Sequence, residues 1–189
     1  MRMRSAVIGT ALMMLAAPAA AQVPGPKPGG AGLLLEVVGG VGTTVVDVDK
    51  WAGTTNTADW GTVAYGGTAR LFFLPLGARA RLGAEVGYLY LFWWSVPAPG
   101  QSYNYTYDAT ASRASGVVRW SLGPRAALDA GVGAYVFDGG TDIGAHLAAG
   151  YHVPLGPKLT LPVQVRADYL LDDPAPLVIA LHVGLGFRL

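Results

Sequence analysis

Residues 177–189 read LVIALHVGLGFRL. Leu177, Ile179, Leu181, Val183, Leu185, Phe187 and Leu189 are all large and apolar, while Val178, Ala180, His182, Gly184, Gly186 and Arg188 between them are mostly small or polar. Successive side chains of a strand point to opposite faces, so this stretch is a β-strand with one oily face and one small or polar face. Working outward, the same two-residue rhythm recurs through most of the chain.

The other end has a different character. Arg2 and Arg4 precede a short apolar run at 6–17, and Ala19-Ala20-Ala21 offers a small-residue cleavage site. That is the layout of a secretory signal peptide over 1–21, because the apolar run is too short to span a bilayer as a helix. With no Cys in the chain, a lipid anchor on cysteine, a disulfide framework and thiolate chemistry are excluded. Residues 22–32 (QVPGPKPGGAG) form a Pro/Gly-rich leader, which leaves 33–189 as the structural domain.

Only 13% of the residues are charged against 52% hydrophobic, far from the roughly 25% charged that soluble domains carry. Glycine and proline nevertheless interrupt every apolar run beyond the N-terminus before it reaches helix-spanning length. An exported, oily chain without spanning helices has one other way to satisfy its backbone in lipid, a closed β-barrel. A net charge of +1 gives no electrostatic footprint for nucleic acid.

Period-two alternation marks eight strands, at 33–42, 61–74, 79–93, 107–121, 126–137, 143–153, 159–171 and 177–189. The connections at 75–79 (PLGAR), 122–126 (LGPRA) and 155–158 (LGPK) are tight turns that each carry a basic residue. They alternate with more varied connections at 43–60, 94–106, 138–142 and 172–176. Three tight turns and four loops are the division required of an up-and-down barrel with both termini on one side. The expected fold is therefore all-β: one eight-stranded antiparallel up-and-down transmembrane β-barrel. Thirteen residues at about 3.3 Å each, tilted about 45°, rise roughly 30 Å, enough for an apolar band of about 25 Å.

Within these strands Glu36, Arg70, Arg79, Arg81, Glu85, Arg113, Arg119, Asp129, Arg166, Asp168 and Arg188 share one face with His146, His152 and His182. Val63, Leu71, Phe73, Val86, Tyr88, Val132, Ile143 and Val165 are among those on the other face. A soluble lipocalin-like barrel would turn the oily face inward. Here small residues such as Gly83, Gly87, Gly131, Gly133, Gly144 and Ala148 crowd the charged face, which suits the cramped interior of eight strands. The charged face is thus expected inside, as a polar network of Glu36, Arg70, Arg81, Glu85, Arg113, Arg119, Asp129, His146, Gln164, Arg166, Asp168 and His182. Arg81 with Glu85 is one expected pair, and Arg166 and Asp168 are expected to pair with charges on neighbouring strands. Phe73, Trp120, Tyr151 and Phe187 fall near the turn end, and Tyr65, Tyr88, Tyr90, Phe92 and Tyr169 toward the loop end, as two girdles at the membrane interfaces.

The ending HVGLGFRL fits polar-x-Gly-x-x-apolar-x-apolar and resembles the C-terminal sorting signal of outer-membrane β-barrels, with Leu where bacterial versions usually finish on Phe or Trp. The whole pattern resembles the small outer-membrane β-barrel family of the OmpA/OmpX type. That resemblance implies a bacterial outer-membrane address with both termini periplasmic, and partners among outer-membrane lipids and lipopolysaccharide. It also implies folding through the barrel-assembly machinery, with His182, Gly184, Phe187 and Leu189 carrying the signal. A monomer is expected, with no cofactor, no resident metal and no nucleic-acid partner.

Four features bear on activity. Interior charges suit either a gate in a narrow porin-like channel or a plug, and eight strands leave room only for side chains. A lipid A-modifying enzyme would need a Ser and His within hydrogen-bond reach, yet His146 has no Ser two residues on, and Ser112 and Ser115 lack a nearby His in sequence. Asp47, Asp49, Asp59, Asp108, Asp138, Asp142, Asp172 and Asp173 gather at the loop end. They fit divalent cations shared with lipopolysaccharide phosphates, and equally the ordinary turn preference of Asp. The aromatic second loop at 93–108 could extend a strand above the membrane and contact a partner. The expectation is a non-enzymatic membrane barrel with a structural or surface-interaction role in envelope integrity, adhesion or lipopolysaccharide contact.

Overall fold

The alternation that marks each strand also dictates what its two faces meet. In the computed structural model, which describes residues 32–44, 60–95, 106–171 and 177–189, eight strands close on themselves. They are β1 Leu34–Thr44, β2 Trp60–Leu76, β3 Ala80–Ser95, β4 Thr106–Ser121, β5 Ala126–Phe137, β6 Gly140–Pro154, β7 Leu159–Leu170 and β8 Leu177–Arg188. Each pairs antiparallel with the next, and β8 returns to β1 with Leu34 opposite Arg188 and Thr44 opposite Val178. Closure leaves no open edge and pairs the backbone within the sheet, the condition for a sheet to cross lipid. The signal-peptide segment, the leader up to Ala31, and most of the acidic and aromatic loops lie outside the described residues.

Burial decides which face is which. Arg70 and Arg166 have no exposed surface, whereas Val41, Val86 and Ile143 are each at least 60% exposed. Charge within and hydrocarbon without is the inverse of a water-soluble barrel, and lipid is the solvent that makes it stable. The fold is an eight-stranded antiparallel transmembrane β-barrel. Exposed Phe73, Trp120, Tyr151 and Phe187 ring the turn end, while exposed Tyr65, Tyr88 and Tyr169 ring the loop end. Tyr65 and Tyr90 are partners across the β2–β3 ladder, their ring centroids 4.7 Å apart.

Two departures from strict alternation matter. Between Phe72 and Leu74 the β2–β3 register shifts, so that Leu71, Phe73, Leu74 and Leu76 are all exposed. This bulge inserts one residue, and the end of β2 beyond it no longer alternates between the two faces. The tight turn after β2 then begins at Gly77, whose φ of 76° is left-handed and favours glycine. Arg79 sits in this turn, before β3 begins at Ala80, and is exposed, not on the interior face of β3. Arg188, expected inside near the rim, is likewise exposed at the end of β8.

The lipid assignment makes a depth-dependent prediction. Leu147 is exposed midway along β6, and Leu155 is exposed in the turn that follows. Leu147→Arg should lower unfolding stability in phospholipid vesicles by about 2–4 kcal/mol, and Leu155→Arg by about 0–1 kcal/mol. Equal effects in denaturant titrations would contradict the assignment.

Candidate functional site

The interior of the barrel is built around two arginines, each gripping two carboxylates. Arg119 on β4 reaches Glu36 on β1, Nη1 donating to Oε1 at 2.5 Å and Nη2 to Oε2 at 2.7 Å. The same guanidinium donates from Nε and Nη2 to Asp129, its direct register partner on β5, both at 2.7 Å. The planar fork of arginine matches two carboxylates at once, which an ammonium does not. The Phe72 ring lies against this guanidinium, 4.1 Å from its central carbon to the ring centroid, adding a cation–π contact.

Arg166 on β7 repeats the device. Its Nη1 and Nη2 donate to Glu85 on β3 at 2.8 and 2.7 Å, and its Nε and Nη2 donate to Asp168 at 2.8 and 2.7 Å. Tyr135 donates its hydroxyl to the same Asp168 at 2.6 Å. A second arginine attends each unit. Arg70 donates to Asp129 at 2.8 Å and stands 3.6 Å from Glu36, while Arg113 donates to Asp168 at 3.1 Å and to the Thr68 hydroxyl. Arg70 also lies 3.9 Å from Glu85, joining the two units. The buried charges are therefore four arginines and four carboxylates, a neutral set. Neutrality matters because an uncompensated ion in so little water would cost several kcal/mol.

Of the residues expected in this network, all but Arg81 are buried. Arg81 is half-buried and donates to the Gly32 carbonyl at 2.7 Å. The expected pairing of Arg81 with Glu85 is not made. Four residues along one strand span about 13 Å, beyond side-chain reach, and Arg166 from across the barrel takes Glu85 instead. Arg166 and Asp168 do meet partners on other strands, and also each other. With Arg79 and Arg188 exposed and Arg81 near the rim, the interior loses the surplus of positive charge that the sequence suggested.

His146 and His182 are buried and Gln164 lies beside His182 in the β7–β8 register. His146 Nδ1 stands 3.8 Å from Glu85, and His152 Nδ1 stands 3.4 Å from Glu36. An added Cβ at Gly131 would come within 2.3 Å of the His146 ring, so glycine at that position is what admits the imidazole. Neither the Ser115 hydroxyl nor either nitrogen of His146 makes a hydrogen bond, so these two do not form a nucleophile–base pair. Among the described residues no three His, Asp or Glu side chains are grouped to hold a metal ion.

Sequence reasoning missed Thr68, Tyr135 and the buried face of Phe72, and it missed a second layer. Toward the loop end, Ala64, Leu89, Leu91, Ala111, Leu170 and Val178 pack with the Tyr135 ring into an apolar cluster inside the barrel. On β3 the run Tyr88-Leu89-Tyr90-Leu91 is apolar on both faces, so alternation carries no signal there.

No protein-family model matches this chain, and no curated protein matches it. Among solved structures, the chain is similar to a de novo designed transmembrane β-barrel, with 18% identity over 87% of this chain and 98% of that one and a TM-score of 0.44. It is similar also to Ail, the attachment invasion locus protein of Yersinia pestis, solved with the heparin analogue sucrose octasulfate. That match has 11% identity over 85% of this chain and all (100%) of that one, with a TM-score of 0.46. A third is the translocator domain of the autotransporter NalP from Neisseria meningitidis, with 10% identity over 85% and 89% of the two chains and a TM-score of 0.36.

The double grip of Arg119 sets a clear expectation. Arg119→Met should destabilise the barrel by about 3–5 kcal/mol, because Glu36 and Asp129 lose their main counter-charge in a buried site. Urea unfolding followed by tryptophan fluorescence in detergent micelles or vesicles measures it. A change below about 1 kcal/mol would show that the pairing contributes little.

Proposed function

We propose that this chain is an integral protein of the bacterial outer membrane whose barrel is plugged, and that it acts in envelope structure or at the cell surface. Envelope integrity, adhesion and lipopolysaccharide contact are the roles that fit a barrel of this kind. One observation carries the plug. The neutral set of arginines and carboxylates crosses the interior from β1 to β4 and from β3 to β7, and the apolar cluster closes over it toward the loop end. A permeating ion would have to break bidentate pairs and then cross a layer of mainly apolar side chains. On this reading the varied loops face outward and both termini are periplasmic.

Assembly would use the closing strand. Phe187 on the apolar side of β8 and Leu189 just beyond the strand are exposed, available to an insertion machinery, whereas His182 is buried and Gly184 lies against the Val37 backbone. The signal residues thus divide into two that remain readable and two whose place is also required by packing.

Single-channel recording in planar bilayers tests the plug, with no stable conductance steps expected from the purified protein. Large, long-lived steps would favour the porin-like alternative and overturn the proposal. For assembly, Phe187→Ala should reduce the folded, heat-modifiable fraction in cells by about tenfold while leaving refolding into detergent intact, since about 1.4 kcal/mol of lost recognition gives that factor.

A further inference from the structure

The three tight turns repeat one sequence: Leu76-Gly77-Ala78-Arg79, Leu122-Gly123-Pro124-Arg125 and Leu155-Gly156-Pro157-Lys158. They share one backbone hydrogen bond as well. The carbonyl of each basic residue accepts a hydrogen bond from the neighbouring even-numbered strand or its end: Arg79 from Ser121 N at 2.7 Å, Arg125 from His152 N at 2.7 Å, and Lys158 from Arg188 N at 2.9 Å. Each bond ties the backbone of a basic residue to the neighbouring strand at the turn end of the barrel. Because these residues follow β2, β4 and β6, and Arg188 ends β8, one cation stands at every second strand around the closed barrel. The leucine that opens each turn is exposed, between 45% and 66%. Arg79, Lys158 and Arg188 are exposed too, and Arg125 is partly so, donating to the Tyr151 hydroxyl at 3.3 Å.

An exposed leucine three residues before an exposed cation, placed at the end of the lipid-facing belt, has an apolar part for acyl chains and a charged part for phosphate. We propose that the turn-end rim is a binding surface for anionic phospholipid headgroups, with Leu76, Leu122 and Leu155 anchored in the acyl layer and Arg79, Arg125, Lys158 and Arg188 held at the phosphates. A lone basic turn would be an ordinary solvated loop. Three copies with the same leucine and the same ladder bond, one at every second strand, form a ring suited to a lipid annulus. Each cation close to an anionic surface is worth about fivefold in local lipid population, and that preference falls with salt. The rim would thus collect anionic lipid in the leaflet at the turn end, away from Asp138 and Asp142 at the opposite end.

Trp120, exposed on the lipid face two residues before Leu122, is a built-in reporter. The test uses the barrel with Trp51, Trp60, Trp93 and Trp94 replaced by Phe, in vesicles with equal fractions of brominated phosphatidylglycerol or brominated phosphatidylcholine. Brominated phosphatidylglycerol should quench Trp120 about twofold or more above phosphatidylcholine at low salt. The excess should vanish at high salt and in the Arg79→Gln, Arg125→Gln, Lys158→Gln, Arg188→Gln variant, with folding verified by circular dichroism. It should persist in Asp138→Asn, Asp142→Asn. Equal quenching by the two lipids, or an excess that survives the four Gln substitutions, would overturn the proposal. Quenching by neither would overturn it together with the membrane assignment.

Discussion

Everything else in this barrel depends on the bidentate grip of Arg119 and Arg166 on pairs of carboxylates. An eight-stranded barrel leaves only side-chain room inside, and lipid outside forbids sending charge outward. The ions must then neutralise one another within a few ångströms. Each guanidinium does this by reaching a glutamate on a distant strand and an aspartate beside it, Glu36 with Asp129 for Arg119, and Glu85 with Asp168 for Arg166. Buried ion pairs seldom add much stability over a hydrocarbon core, but removing one partner is costly. The network therefore acts as a constraint: the strands that carry it cannot shift independently.

The interior has two layers with different physics. The charged layer, from Glu36 and Arg119 up to Asp168 and Arg113, depends on matched geometry and neutrality. The layer above it, with Leu89, Leu91, Leu170 and Val178, depends on packing alone. Tyr135 belongs to both, its ring among the apolar side chains and its hydroxyl on Asp168. Ion pairs bordered by apolar side chains sit in a lower local dielectric, which strengthens them.

Much of this was legible in the chain, and the failures have specific causes. Strand positions followed from alternation, and the inward face of β3 followed from Arg81 and Glu85 in phase. Arg79 was misplaced because it shares the phase of Arg81 and Glu85 yet lies in the turn, one residue before β3 begins at Ala80. The apolar layer was invisible because a stretch that is oily on both faces has no period. Phe72 was hidden for a related reason, since it lies in the run Leu71-Phe72-Phe73-Leu74.

The sequence by itself determined the number of strands, their two faces and the alternation of tight turns with loops. Those are local properties, set by side chains two residues apart and by Gly and Pro in the connections. Only the tertiary structure decided which carboxylate each arginine takes. Arg119 and Glu36 are 83 residues apart, and Arg166 and Glu85 are 81 apart. Nothing in their local surroundings distinguishes them from other charges on the same face. Closing the sheet is what brings them together across the lumen.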